Sequence, residues 1–203
     1  MSLYEEKPKA KKEEDIDQDS PYSKLSDVMC NLVDFDDSVI YLNDDITQTT
    51  LVDFMIKVRS IISSRKEENK DDPINLIINS EGGDIYDMLG IIDYIDSLSV
   101  KVNTICRGKA LSAAAIILAC GTGSRMMSKR STVMFHQSSS FLSGKMSDIT
   151  AYLDNIKVLE NTVYDLLSSK TKQDANWWKS QMKTDLFLSP EKLVEYSVID
   201  QII

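Results

Sequence analysis

The sequence predicts an α/β fold with a parallel-rich sheet, and two observations carry that prediction. Short apolar, β-branched runs alternate along the chain with segments whose apolar residues recur at helical spacing. One run, Ile74-Asn-Leu-Ile-Ile78, reads as a strand buried on both faces, as strands of parallel sheets are. Strands that alternate with helices are wound into one sheet by crossovers.

The elements follow in order. Ser38-Val-Ile-Tyr-Leu42 is β-branched and aromatic and reads as a strand. Between Thr47 and Ser63, the residues Leu51, Phe54, Met55, Val58, Ile61 and Ile62 mark an amphipathic helix. After a charged loop and Pro73 comes the strand 74–78, then a turn at Asn79-Ser-Glu-Gly-Gly83 with Asp84 as a helix cap. The helix that follows carries Ile85, Met88, Leu89, Ile92 and Ile95 on one face. Val102 to Cys106 is a strand that Gly108 is expected to end. Ser112 to Cys120 is a short alanine-rich helix stopped by Gly121, and Thr132-Val-Met-Phe-His136 is the next strand. Long and short helical patterns cover Met146 to Ser169 and Asp174 to Met182. Ser189-Pro190 starts a last helix, to about Tyr196, with proline at its first position, and Val198 to Ile203 is a closing strand.

Composition narrows the function. Residues 1–20 mix charges with little apolar content, so they are expected to be disordered, followed by a single folded domain over 21–203. The net charge of −9 repels phosphate backbones and argues against nucleic acid as a partner. No apolar run reaches the ~18 residues of a membrane helix. The opening residues have no apolar core of a signal peptide, so the cytoplasm is the expected setting. The three cysteines, Cys30, Cys106 and Cys120, are expected to be reduced, the last two in the core. With one histidine and no CxxC, none of the common zinc sets can be assembled.

Three segments are candidates for chemistry. In Gly108-Lys-Ala-Leu-Ser112-Ala-Ala-Ala a serine stands where a strand turns into a helix. Unpaired N–H groups there favour the oxyanion that serine hydrolysis creates, although taken alone Ser112 also fits a plain helix cap. Gly82 and Gly83 end a strand and let a ligand approach the backbone, or form no more than a plain strand-to-helix turn. His136, at a strand end, is the one imidazole that could act as a base, or a hydrogen-bonded structural histidine. Asp185, in a loop before apolar residues and a capped helix, is expected to be partly desolvated and fixed. Asp148, Asp154 and Asp165 fall on helical patterns and read as solvated.

Taken together and in order, these segments resemble the ClpP family of caseinolytic protease subunits. Asn79-Ser-Glu-Gly-Gly83 is similar to the family's Asn-Ser-Pro-Gly-Gly. Gly108-Lys-Ala-Leu-Ser112-Ala-Ala is similar to Gly-Gln-Ala-Ala-Ser-Met-Gly, and Val133-Met-Phe-His136-Gln137 to Val-Met-Ile-His-Gln-Pro. Asp185-Leu-Phe-Leu-Ser189 and Glu195-Tyr-Ser-Val-Ile-Asp200 are similar to Asp-Arg-Phe-Leu-Ser and Glu-Tyr-Gly-Leu-Ile-Asp. The resemblance implies a crotonase-like stack of strand-strand-helix units with a protruding handle at about 141–169. It implies Ser112 as nucleophile, His136 as base, Asp185 as its orienting partner, and the backbone N–H groups of Gly83 and Ala113 as an oxyanion hole. It further implies two stacked seven-membered rings, an AAA+ unfoldase that feeds unfolded chains and spends the ATP, and no metal or cofactor in the peptidase itself.

The sequence departs from the family pattern near the site. Glu81 and Ser138 stand where the family has proline, and Ala114 where it has glycine. The first reading is a serine endopeptidase. The alternatives are a weakly active or inactive structural ring subunit, an acyl-CoA enzyme on the shared fold, and a cysteine hydrolase using Cys106 or Cys120.

Overall fold

The computed structural model of the chain describes residues 33–34, 38–139 and 143–203. The segment 1–20, Cys30 and the start of the handle at Phe141 lie outside the described residues. The strands are β1 (Val33–Asp34), β2 (Val39–Leu42), β3 (Ile74–Ser80), β4 (Val102–Leu111), β5 (Arg125–Met127), β6 (Thr132–Phe135), β7 (Leu186–Leu188) and β8 (Gln201–Ile202). The helices are α1 (Gln48–Ser64), α2 (Ile85–Ser97), α3 (Ala113–Ala119), α4 (Met146–Lys170), α5 (Ala175–Gln181) and α6 (Pro190–Glu195).

The described strands form one sheet in the order β1-β2-β3-β4-β5-β8, with β6 beside β4 and β7 beside β6. The pairs from β2 through β8 along this path are parallel, as is β4 with β6. Only β1–β2 and β6–β7 run antiparallel. The α/β expectation of a parallel-rich sheet holds.

Burial follows periodicity. Ile74, Leu76 and Ile78 of β3 are fully buried, whereas Asn75 and Ile77 are only half-buried. The expected burial on both faces is therefore corrected: the core covers one face, and on the other Asn103 donates to Asn75 across neighbouring strands at 2.9 Å. Helix α2 buries Met88, Ile91, Ile92 and Ile95. Helix α1, capped by Thr47, buries Phe54, Val58 and Ile61, but Met55 and Ile62 of its apolar stripe face solvent. Helix α4 packs only by its second half, through Val163, Tyr164 and Leu167, and its first half stands exposed. Asp148, Asp154 and Asp165 on it are exposed, as expected. Among the described residues no helix is long and apolar enough to cross a membrane.

One strand differs in a way that builds the site. Gly108 does not end β4, which runs on to Leu111. Gly108 takes φ +100°, and the pairing with β3 shifts register between Ile78 and Ser80. Beyond that kink β4 leaves β5 and pairs with β6, placing Leu111 opposite Met134. The closing strand is also shorter than expected, because only Gln201–Ile202 find a partner in β5.

Candidate active site

The strand switch makes the Ser112 and His136 segments direct neighbours. Ser112 follows the last residue of β4, and its N–H donates to the Met134 carbonyl at 2.8 Å. His136 follows the last residue of β6. β7 then pairs antiparallel with β6, Leu186 opposite Phe135, so Asp185 comes up beside His136. Three strand ends thus meet at one edge of the sheet.

The geometry there is specific. Ser112 Oγ and His136 Nε2 are 2.8 Å apart. Ser112 occupies the cap position of α3, yet its side chain makes no cap hydrogen bond. The helix-cap reading is thereby corrected: the hydroxyl turns to the imidazole instead. The backbone of Ser112 lies at φ +54° and ψ −124°, a region that glycine takes freely and side chains avoid. A strained strand-to-helix turn of this kind lifts a serine hydroxyl out of the sheet edge.

Asp185 Oδ1 lies 3.6 Å from His136 Nδ1, a charge contact longer than a hydrogen bond. Its side chain is 62% exposed, against the expectation of a partly desolvated carboxylate. The cause is its position just ahead of β7, an outer strand whose only partner among the described residues is β6.

The Gly82–Gly83 turn abuts the serine. A Cβ on Gly82, at φ +103°, would lie 2.6 Å from the Leu111 carbonyl oxygen and 2.8 Å from Ser112 Cβ. Gly83 runs against Ile46, whose N–H donates to Gly82 O and whose carbonyl accepts from Asp84 N–H, both at 2.8 Å. Asp84 caps α2 as expected. Among the described residues the N–H groups of Gly83 and Ala113 have no acceptor, and both residues line the cavity beside Ser112. Donors left free next to a nucleophile suit a developing oxyanion.

The two departures from proline have structural answers. Glu81 pairs with Lys109 across the ends of β3 and β4. Ser138, unlike proline, has an N–H, and Glu160 of α4 accepts it at 3.1 Å. Ala114 is fully buried in α3. Cys106 and Cys120 are buried, and burial pushes their thiols up to about 11 and about 12. Neither lines the cavity that holds Ser112 and His136, so nothing in the site supports the cysteine hydrolase reading.

Periodicity did not reveal the cavity beside Ser112 and His136, of about 160 Å³, into which α4 sends Ile156, Glu160 and Tyr164. The signal available in the sequence is the spacing 156, 160, 163 and 164, one helical face that contains a carboxylate.

Fold and site together define an α/β chain with a serine set against an imidazole beside free backbone donors. A family model described as Clp protease matches residues 23–203, and the chain belongs to that family. It is 32% identical to ATP-dependent Clp protease proteolytic subunit 1 of Prochlorococcus marinus (strain MIT 9312), over 81% of this chain and 83% of that protein. It is 34% identical to proteolytic subunit 2 of Parasynechococcus marenigrum, over 81% and 82%. It is 32% identical to the proteolytic subunit of Deinococcus radiodurans, over 67% of each chain.

Proposed function

We propose that this chain is a serine endopeptidase, the proteolytic subunit of a self-compartmentalising ATP-dependent protease. The observation that carries the reading is the 2.8 Å approach of Ser112 Oγ to His136 Nε2 from a strained turn. Ser112 attacks the scissile carbonyl while His136 takes its proton, and the same proton then goes to the leaving amine. Asp185, across 3.6 Å, stabilises the imidazolium that forms. The N–H groups of Gly83 and Ala113 hold the oxyanion, and water releases the acyl group from Ser112. Oxyanion and imidazolium are both served by the chain's own groups, so this step calls for no metal or cofactor.

The family and the relatives' names support membership of an ATP-dependent complex. In this reading copies of the chain stack as two seven-membered rings in the cytoplasm. An AAA+ unfoldase spends the ATP and delivers unfolded chains, and neither nucleic acid nor membrane takes part.

Labelling with a fluorophosphonate, read by intact mass, tests the reading. One adduct on the parent and none on Ser112→Ala is the expected result. No adduct on either would put the structural ring subunit in its place.

A further inference from the structure

The cavity beside Ser112 has a charge as well as a shape. Its walls include Ile85, Met88, Ile116, Ile156 and Met182, an apolar sleeve for an aliphatic stem. Two carboxylates line it, Asp84 and Glu160, and no lysine or arginine does among the described residues. Asp84 is engaged as the cap of α2, accepting from the N–H groups of Tyr86 at 2.8 Å and Asp87 at 3.1 Å. Glu160 uses Oε1 for the Ser138 N–H at 3.1 Å, and Oε2 makes no hydrogen bond among the described residues.

Tyr164 follows one helical turn later. It is 3% exposed, and its buried hydroxyl lies beside the Gln137 side chain. Burial first, and the Glu160 carboxylate second, push its phenol above the ordinary value against the opposing hydrogen bond of Gln137. A carboxylate at an apolar wall attracts a cation. An apolar sleeve that ends at such a carboxylate suits a long aliphatic side chain with a cationic head.

We infer that this pocket selects lysine or arginine on the acyl side of the scissile bond, with Glu160 as the residue that reads the charge. The inference rests on the serine peptidase reading of Ser112. It also gives Glu160 a task beyond accepting the Ser138 N–H, and a glutamine can still do that part.

Two peptidyl diphenyl phosphonates, alike except for a lysine or a norleucine side chain next to phosphorus, separate these tasks. The rate of adduct formation on Ser112 of the full chain is read by intact mass. The lysine reagent is expected to react at least about ten-fold faster, the factor a charge-assisted contact supplies. In Glu160→Gln that ratio is expected to fall to near unity. Norleucine reacting as fast as lysine in the parent overturns the inference, and so does a ratio that survives Glu160→Gln. The parental ratio decides even if the variant does not fold. Failure of both reagents and of the plain fluorophosphonate sinks the peptidase reading, and the inference with it.

Discussion

Ser112 is held in its conformation from three sides. Its N–H is tied to Met134, its hydroxyl to His136, and Gly82 lies against its Cβ. Gly82→Ala would drive a methyl into the Leu111 carbonyl and Ser112 Cβ at a φ that alanine resists. Such a variant is expected to lose roughly 1–3 kcal/mol of stability. A lower Tm together with slower fluorophosphonate labelling is the measurement, and an unchanged Tm would remove Gly82 from the support of the turn. Motif order singled out Ser112, His136 and Asp185, and the structure brings the three together. Their geometry was not legible. Nothing in Ala-Leu-Ser-Ala announces a positive φ, so the segment taken alone fits a capping serine equally well. The exposure of Asp185 depends on β7, whose three residues, Leu186–Leu188, are too few to show an alternation.

At the scale of elements, regular pattern was readable and borrowed pattern was not. Helices α1, α2 and α4 have enough turns for their apolar stripes to show in the sequence. β5, with the sequence Arg-Met-Met, is a strand only because β4 and β8 flank it. The extension of β4 past Gly108 needed β6 as a new neighbour, which no local window contains. Arg125 of β5 anchors this region. Its backbone N–H and Nη2 donate to Asp200 at 2.7 Å, and Nη1 donates to the Lys170 carbonyl at the end of α4 at 2.9 Å. Burial pushes the Asp200 carboxyl up, but the Arg125 hydrogen bonds and charge outweigh it and leave it below its ordinary value. A carboxyl depressed in the fold contributes stability above its unfolded pKa, and that stability is lost as pH falls through the folded one. Asp200→Asn is therefore expected to cost about 1 kcal/mol at neutral pH, since solvent screens a half-exposed pair. The difference in Tm between parent and variant should close as pH drops below about 4. A gap independent of pH would assign the loss to packing instead of charge.

The whole molecule leaves apolar surface uncovered. Met146, Leu153 and Val158 on α4 are 77%, 43% and 62% exposed. Val52 and Ile56 on α1 are exposed as well. The proposed rings would give such residues a surface to pack against. The chain is expected to migrate as a large assembly in native mass measurements. Leu153→Glu combined with Val158→Glu should shift it to smaller particles with little change in secondary structure. A parent that runs as a monomer at micromolar concentration would remove the rings from the proposal.

The turn at position 112 also sets natural selection and laboratory selection against each other. Glycine adopts that backbone without resistance, so Ser112→Gly should melt above Ser112→Ala although neither has a nucleophile. A screen for heat resistance alone would reward glycine there and silently discard the chemistry.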